Sequence, residues 1–307
     1  MTREFKKLLK FIAITAATVF ILDFMIGSLL EYLYNKMEAG ERARAHFATQ
    51  KSEADLFIFG SSRALYHYDP SILKDSLHVE AYNAGRSAQT VLYHLPVFKM
   101  ILSRKKPKAV ILDVNESEFL YDQSKYDLVS LLLPYYTNPA VKAVVDKVSP
   151  GYRYFSWSRI VPYNSSLVVI AYRALGFGSR RSDDKGYIYF QGNRTSQLET
   201  YKYCGKPITI DPNIVDAFRE FVQLCKDNQI PLLIVVSPRF MKVDCERKDL
   251  LEIKQLADSM NVRLVDFSTS PKYLQNLTFM YDEAHLNREG SIEFTKDVIF
   301  QLKHAQE

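Results

Sequence analysis

Between Phe11 and Leu30 the chain carries twenty consecutive residues with a single charge, Asp23. At about 1.5 Å of rise per residue, that run spans the roughly 30 Å hydrocarbon core of a bilayer. A lone crossing segment must be helical, because lipid offers its backbone no hydrogen-bond partners. Arg3, Lys6, Lys7 and Lys10 precede the run, which puts the amino terminus in the cytoplasm and the rest of the chain outside. Tyr32 and Tyr34 follow as interfacial anchors. A cleaved signal peptide would want a shorter apolar core and a small-x-small site, and none is convincing before Ala39. A soluble amphipathic helix would want a continuous polar face, which Thr15, Thr18 and Asp23 do not make. Residues 1–35 therefore read as a cytoplasmic tip and transmembrane signal anchor. Asp23 lies late enough for relief near the interface, or meets a partner helix. Residues 36–54, with Glu38, Glu41, Arg42 and Arg44, read as a helical stalk.

From Asp55 onward short apolar runs alternate with helical stretches. Strands are expected at Asp55–Phe59, His78–Tyr82, Ala109–Val114, Pro231–Val236 and Val262–Asp266. Helices are expected at about 90–103, 213–228, 248–260 and 288–302. That rhythm predicts a flavodoxin-like three-layer α/β/α fold on a five-stranded parallel sheet, filling residues 55–307. It breaks at about 120–206, where Pro134, Pro139, Pro150 and Pro162 and many tyrosines suggest an insertion. Helices are expected there near 140–147 and 165–175, with an exposed or mobile tract at 176–186.

Composition excludes some classes. Hydrophobic content of 47% and charged content of 24% do not suit a disordered chain. The net charge of +5 comes from scattered or amino-terminal Lys and Arg, so no nucleic-acid footprint is indicated. Cys204, Cys225 and Cys245 form no CxxC pair, and their odd number leaves at least one thiol free; a bridge from Cys204 to either of the others stays open. No His/Asp cluster has ligand spacing, so neither a metal nor a cofactor is expected.

In open parallel sheets the strand carboxyl ends face one crevice. Here four exits are polar: Gly60-Ser61-Ser62, Asn83-Ala84-Gly85, Asn115 and Ser237-Pro238-Arg239. Late in the chain, Asp282-Glu283-Ala284-His285 precedes the last helix. An Asp three positions before a His can accept the Nδ1–H bond and leave Nε2 as base toward a serine hydroxyl. His67 and Asp69 read as a helix-ending turn. Arg63 and Arg239 could hold an anionic group or pair with carboxylates, and stay outside the catalytic set.

On these blocks the chain resembles the SGNH (GDSL-like) hydrolase superfamily, in its membrane-anchored extracytoplasmic branch. Phe59-Gly60-Ser61-Ser62 stands where the family has Gly-Asp-Ser, Gly85 matches the second block, and Asp113-Val114-Asn115-Glu116 the third. Asp282-x-x-His285 with Leu286-Asn287-x-x-Gly290 matches the fifth. The resemblance implies a triad of Ser62, His285 and Asp282. It also implies an oxyanion hole from the Ser62 and Gly85 N–H groups and the Asn115 side chain. Ser61 replaces the family's first-block Asp, Asp113 replaces the glycine that opens the third block, and Glu116 replaces the Asp of its Asn-Asp pair. The expected activity is that of a serine esterase or O-acyltransferase on an ester of an envelope glycan, lipid or exported polysaccharide. The alternative is an inactive scaffold among envelope assembly proteins. Partners would be the acylated glycan or lipid and the membrane, with no nucleic acid.

Overall fold

The computed structural model describes residues 2–177, 185–193, 209–241 and 248–304. In chain order its helices and strands are α1 (Arg3–Asn35), α2 (Glu41–Gln50), β1 (Leu56–Phe59), α3 (Ser62–His67), α4 (Pro70–Leu77), β2 (Ala81–Asn83), α5 (Val91–Leu102) and β3 (Ala109–Asp113). There follow α6 (Gln123–Asp127), α7 (Pro139–Val148), α8 (Leu167–Ala174), α9 (Pro212–Asp227), β4 (Leu232–Val236), α10 (Lys248–Ser259), β5 (Leu264–Asp266) and α11 (Arg288–Lys303). They fall into two compact units, 1–43 with 129–180, and 44–128 with 181–307. Cys204, Cys245 and most of the 176–186 tract lie outside the described residues; Cys225 is a buried free thiol.

The larger unit is a five-stranded, all-parallel sheet in the order β2-β1-β3-β4-β5. Because side chains alternate along a strand, β1 sends Leu56 and Ile58 to one face and Phe57 and Phe59 to the other. The first face joins Ile111, Leu233 and Val235 to Tyr68, Leu73, Phe294 and Val298 of the α3, α4 and α11 side. On the second face Phe59 meets Phe98 of α5 and Phe221 of α9 edge to face, at centroid distances of 5.6 and 5.5 Å. The expected three layers and parallel sheet are present. β2 starts later than expected because His78, at φ 55°, closes α4 in a left-handed cap. Part of the expected stalk packs within this unit: Phe47 of α2 stacks on Tyr82, and Arg104 donates to the carbonyls of Thr49 and Ser52.

In the smaller unit, α1 is long and apolar enough to cross a membrane. Residues 158–163 run beside its carboxyl-terminal half. There Tyr34 is buried between Tyr135 and Tyr163, and Leu30, Leu33 and Ile170 pack around them. α7 is capped by the Asn138 side chain, which accepts from the Ala140 N–H.

Candidate active site

β1 ends at Phe59, and Gly60 turns the chain at φ 137°. A side chain at Gly60 would bring its Cβ within 2.3 Å of the Asp113 carbonyl oxygen, so the close approach of β1 and β3 exits needs glycine. Ser61 precedes α3, and Ser62 is its first residue, at the carboxyl edge of the sheet. The Ser62 N–H therefore opens a helix, where the helix itself supplies no acceptor.

The second exit loop locks against the first. The Ala84 N–H donates to the Ile58 carbonyl and the Arg86 N–H to the Gly60 carbonyl. Gly85 lies so close to α3 that a Cβ there would come within 2.6 Å of the Leu65 nitrogen. Buried Asn83 organises this corner. Its Nδ2 donates to the carbonyls of Ala64 and Tyr68, and its Oδ1 accepts from the Gly85 N–H at 2.9 Å.

Asp282 and His285 come from the turn before α11. Asp282 Oδ1 accepts the backbone N–H groups of Ala284 and His285, both at 2.8 Å, which closes the turn. Both carboxylate oxygens lie 3.0 Å from His285 Nδ1, and His285 Nε2 lies 2.9 Å from Ser62 Oγ. Three side chains separated by 223 residues of sequence thus form one hydrogen-bonded line. Burial pushes the Asp282 carboxyl upward. The His285 side chain and the two N–H donors outweigh it and hold the group below the usual carboxylate range. Beyond the turn, Asn287 caps α11 by accepting from Gly290 N–H, and a Cβ on Gly290 would collide with the Phe279 carbonyl. The Leu-Asn-x-x-Gly run is therefore a helix start with a tight packing contact.

The third block is built differently. Asn115 Oδ1 accepts from Ser117 N and Oγ, and its Nδ2 donates to Glu118 Oε2 at 3.2 Å. Asp113 is buried and accepts from the hydroxyls of Tyr68 and Ser237. Glu116 pairs with Arg63 at 2.9 Å and Arg239 at 3.1 Å, so two guanidinium groups share one carboxylate beside the serine. Of the six named site contributions, the three triad side chains meet, and the Ser62 N–H lies on the same turn. The Gly85 N–H and the Asn115 amide are engaged by Asn83 and Glu118.

Sequence reasoning missed the aromatic wall around the imidazole. Tyr66 and Phe190 approach the His285 ring at centroid distances of 5.4 and 5.7 Å, and Phe190 stacks flat on Tyr281 at 4.1 Å. Phe190 belongs to residues 185–193, read from sequence as insertion. In the fold this segment is fastened to the site unit by Ile188 N–H to Leu65 O, Arg288 N–H to Phe190 O, and a Tyr187–Ser291 hydroxyl pair. The clustering of Tyr187, Tyr189 and Phe190 was the available signal. His67, fully buried, accepts from Leu286 N–H and positions that turn from below. A cavity of about 760 Å³ opens at the opposite, amino-terminal edge of the sheet, lined by Leu56, Leu77, Ala109 and Leu232, and shares no residue with the site.

No protein-family model and no curated relative matches the chain. The solved structures it is similar to include GDSL/SGNH-type hydrolases and esterases. The acetyl xylan esterase AlAXEase has 14% identity and a TM-score of 0.39, over 79% of this chain and 97% of that one. AlinE4, an SGNH-hydrolase family esterase, has 14% identity and a TM-score of 0.33, over 84% and 100%. A G-D-S-L family protein from Desulfitobacterium hafniense has 13% identity and a TM-score of 0.38, over 80% and 97%.

Proposed function

We propose that the protein is a membrane-anchored serine esterase or O-acyltransferase of SGNH type, acting outside the cytoplasm on an ester of an envelope glycan, lipid or exported polysaccharide. The observation that carries this reading is the Ser62–His285–Asp282 line, with 2.9 Å between Ser62 Oγ and His285 Nε2. Ser62 Oγ attacks the acyl carbonyl while His285 Nε2 takes its proton and Asp282 steadies the imidazolium. The tetrahedral intermediate expels the alcohol, which leaves with the proton from His285, and an acyl-serine remains. Water, or a sugar hydroxyl, then repeats the sequence in reverse. The Ser62 N–H is the first oxyanion donor. The aromatic wall of Tyr66, Phe190 and Tyr281 gives an acyl group or sugar ring an apolar surface and limits water around the imidazole. The basic residues Arg3, Lys6, Lys7 and Lys10 in the first turns of α1, ahead of its apolar run, support a cytoplasmic tip and an external site.

A second reading draws on the inward bonds of Gly85 and Asn115: an SGNH-like scaffold that keeps the fold without turnover. One experiment separates them. The detergent-solubilised full chain is treated with a fluorophosphonate probe and assayed against acetyl esters, beside Ser62→Ala. Labelling and turnover by the wild type alone support the enzyme. Folded wild-type protein that neither labels nor turns over would leave only the scaffold.

A further inference from the structure

We infer that residues 153–157 form an aromatic loop that enters the outer leaflet of the bilayer alongside α1, its partner being phospholipid. The inference rests on α1 as a membrane span, not on the esterase chemistry. It starts from Asp23, seven residues short of the end of the apolar run and so about 10 Å inside it. That carboxylate is buried. It accepts from the Ser158 hydroxyl at 2.5 Å and from the Arg159 N–H at 2.7 Å. The contact is close in the backbone too, since a Cβ on Gly27 would fall 2.3 Å from Arg159 Cβ. The Arg159 guanidinium lies over the Phe24 ring and reaches outward to Glu31 at 2.6 Å. Ser158 and Arg159 are therefore fixed at the depth of Asp23 and Gly27.

Residues just before Ser158 are tied to it, the Ser158 N–H donating to the Phe155 carbonyl. Tyr154, Phe155 and Trp157 are 66%, 55% and 59% exposed, and Phe20, Ile21, Phe24 and Met25, which flank Asp23 in α1, are exposed as well. Exposed apolar surface on a spanning helix faces acyl chains, and the loop's aromatic side chains immediately precede the two residues that clasp that helix. Part of the loop's polar complement is bonded within the loop, which lowers the cost of entering lipid. Phe155 N–H donates to Tyr152 O, Ser158 N–H to Phe155 O, and the Ser156 hydroxyl to Arg153 O. Its one charge, Arg153, bonds the Tyr154 hydroxyl and has the length to reach headgroups. Tyr and Trp are the residues that interfaces select. The arrangement also explains the charge in the span: Asp23 meets its partners inside the same chain.

Trp157 is the protein's single tryptophan, so its emission reports this loop alone. The test uses the purified full chain in phosphatidylcholine–phosphatidylglycerol vesicles. Blue-shifted emission, loss of most intensity to lipids brominated in the upper acyl chain, and protection from aqueous iodide are expected. Asp23→Leu, which removes the clasp, should restore iodide quenching while the protein stays in the pellet after carbonate extraction. Water-like emission that iodide quenches and bromolipid does not, in carbonate-resistant protein, overturns the loop but keeps the span. Blue-shifted emission insensitive to both quenchers means another copy of the chain covers the loop, and also overturns it. Release by carbonate defeats the span and the loop together, and leaves the Ser62 assay unaffected.

Discussion

At the scale of single residues, the question is which donors and carboxylates the chemistry needs. Asp282→Asn can still accept the Ala284 and His285 N–H groups through its remaining oxygen, so the turn should survive with an unchanged melting temperature. It cannot hold the imidazole in the tautomer that leaves Nε2 free as a base. A fall in kcat of about 10²–10⁴-fold is expected, and a loss under tenfold would count against Asp282 as the orienting group. Asn115 behaves oppositely. Its side chain closes a local turn with Ser117 and Glu118, so Asn115→Ala should cost less than about tenfold in kcat, whereas removal of a working oxyanion donor costs about 10²–10³-fold. Steady-state kinetics on the ester identified for the wild type read both. The meeting of Ser62, His285 and Asp282 was legible in sequence because spacing and flanking residues each carry a reason: Asp282 caps its own turn, and Asn287 and Gly290 start a helix against Phe279. The bonds of Gly85 and Asn115 were not legible, because Asn83 and Glu118 reach them only once the exits have been folded together.

At the scale of elements, the strand exits set the geometry. β1 and β3 lie in register from Leu56↔Ala109 to Phe59↔Leu112, and their exits diverge only past Gly60. Gly60→Ala must both adopt an unfavourable positive φ and push its Cβ into the Asp113 carbonyl, which is backbone and cannot swing aside. A loss of stability on the order of 2–4 kcal/mol is expected. Gly151→Ala, with open space around it, serves as the neutral comparison. Thermal unfolding of the two variants tests this, and equal midpoints would refute it. Strands were readable from sequence since apolar runs such as Leu56–Phe59 and Leu232–Val236 end in polar turns. The segment 185–193 was not, because its aromatic residues follow neither a helical nor a strand period. Only backbone bonds to Leu65 and Arg288 reveal that it belongs with the larger unit.

At the scale of the whole molecule, buried titratable groups of the larger unit pull stability in opposite directions with pH. Burial pushes the carboxyls of Asp113 and Glu118 up to about 7, against hydrogen bonds from Ser237 and Tyr68 in the first case and from Val91 N–H in the second. The folded protein then holds protons that the unfolded chain, with carboxyls near 4, has lost. Their contribution is greatest below about pH 4 and disappears as pH rises to about 7, at up to ~1.4 kcal/mol per pH unit per group. Burial depresses the buried imidazoles instead: His94 to about 3, and His67 well below its ordinary value with the positive charge of neighbouring groups adding to the effect. These contribute stability fully above about pH 6.5 and lose it as pH falls. Over pH 4–6.5 the two slopes oppose each other, so the wild type should unfold at a nearly constant temperature. Asp113→Asn keeps an oxygen for the Tyr68 and Ser237 hydroxyls while deleting one titration. Its stability relative to wild type should therefore rise from pH 4 to pH 7, and Glu118→Gln should behave alike. In either variant the imidazoles are no longer balanced, so unfolding should begin at lower temperature as the solution is acidified. Melting curves of the three proteins at half-unit pH steps decide it: parallel profiles would mean that Asp113 and Glu118 ionise normally in the folded state, and that the hydrogen bonds around them, rather than burial, control their charge.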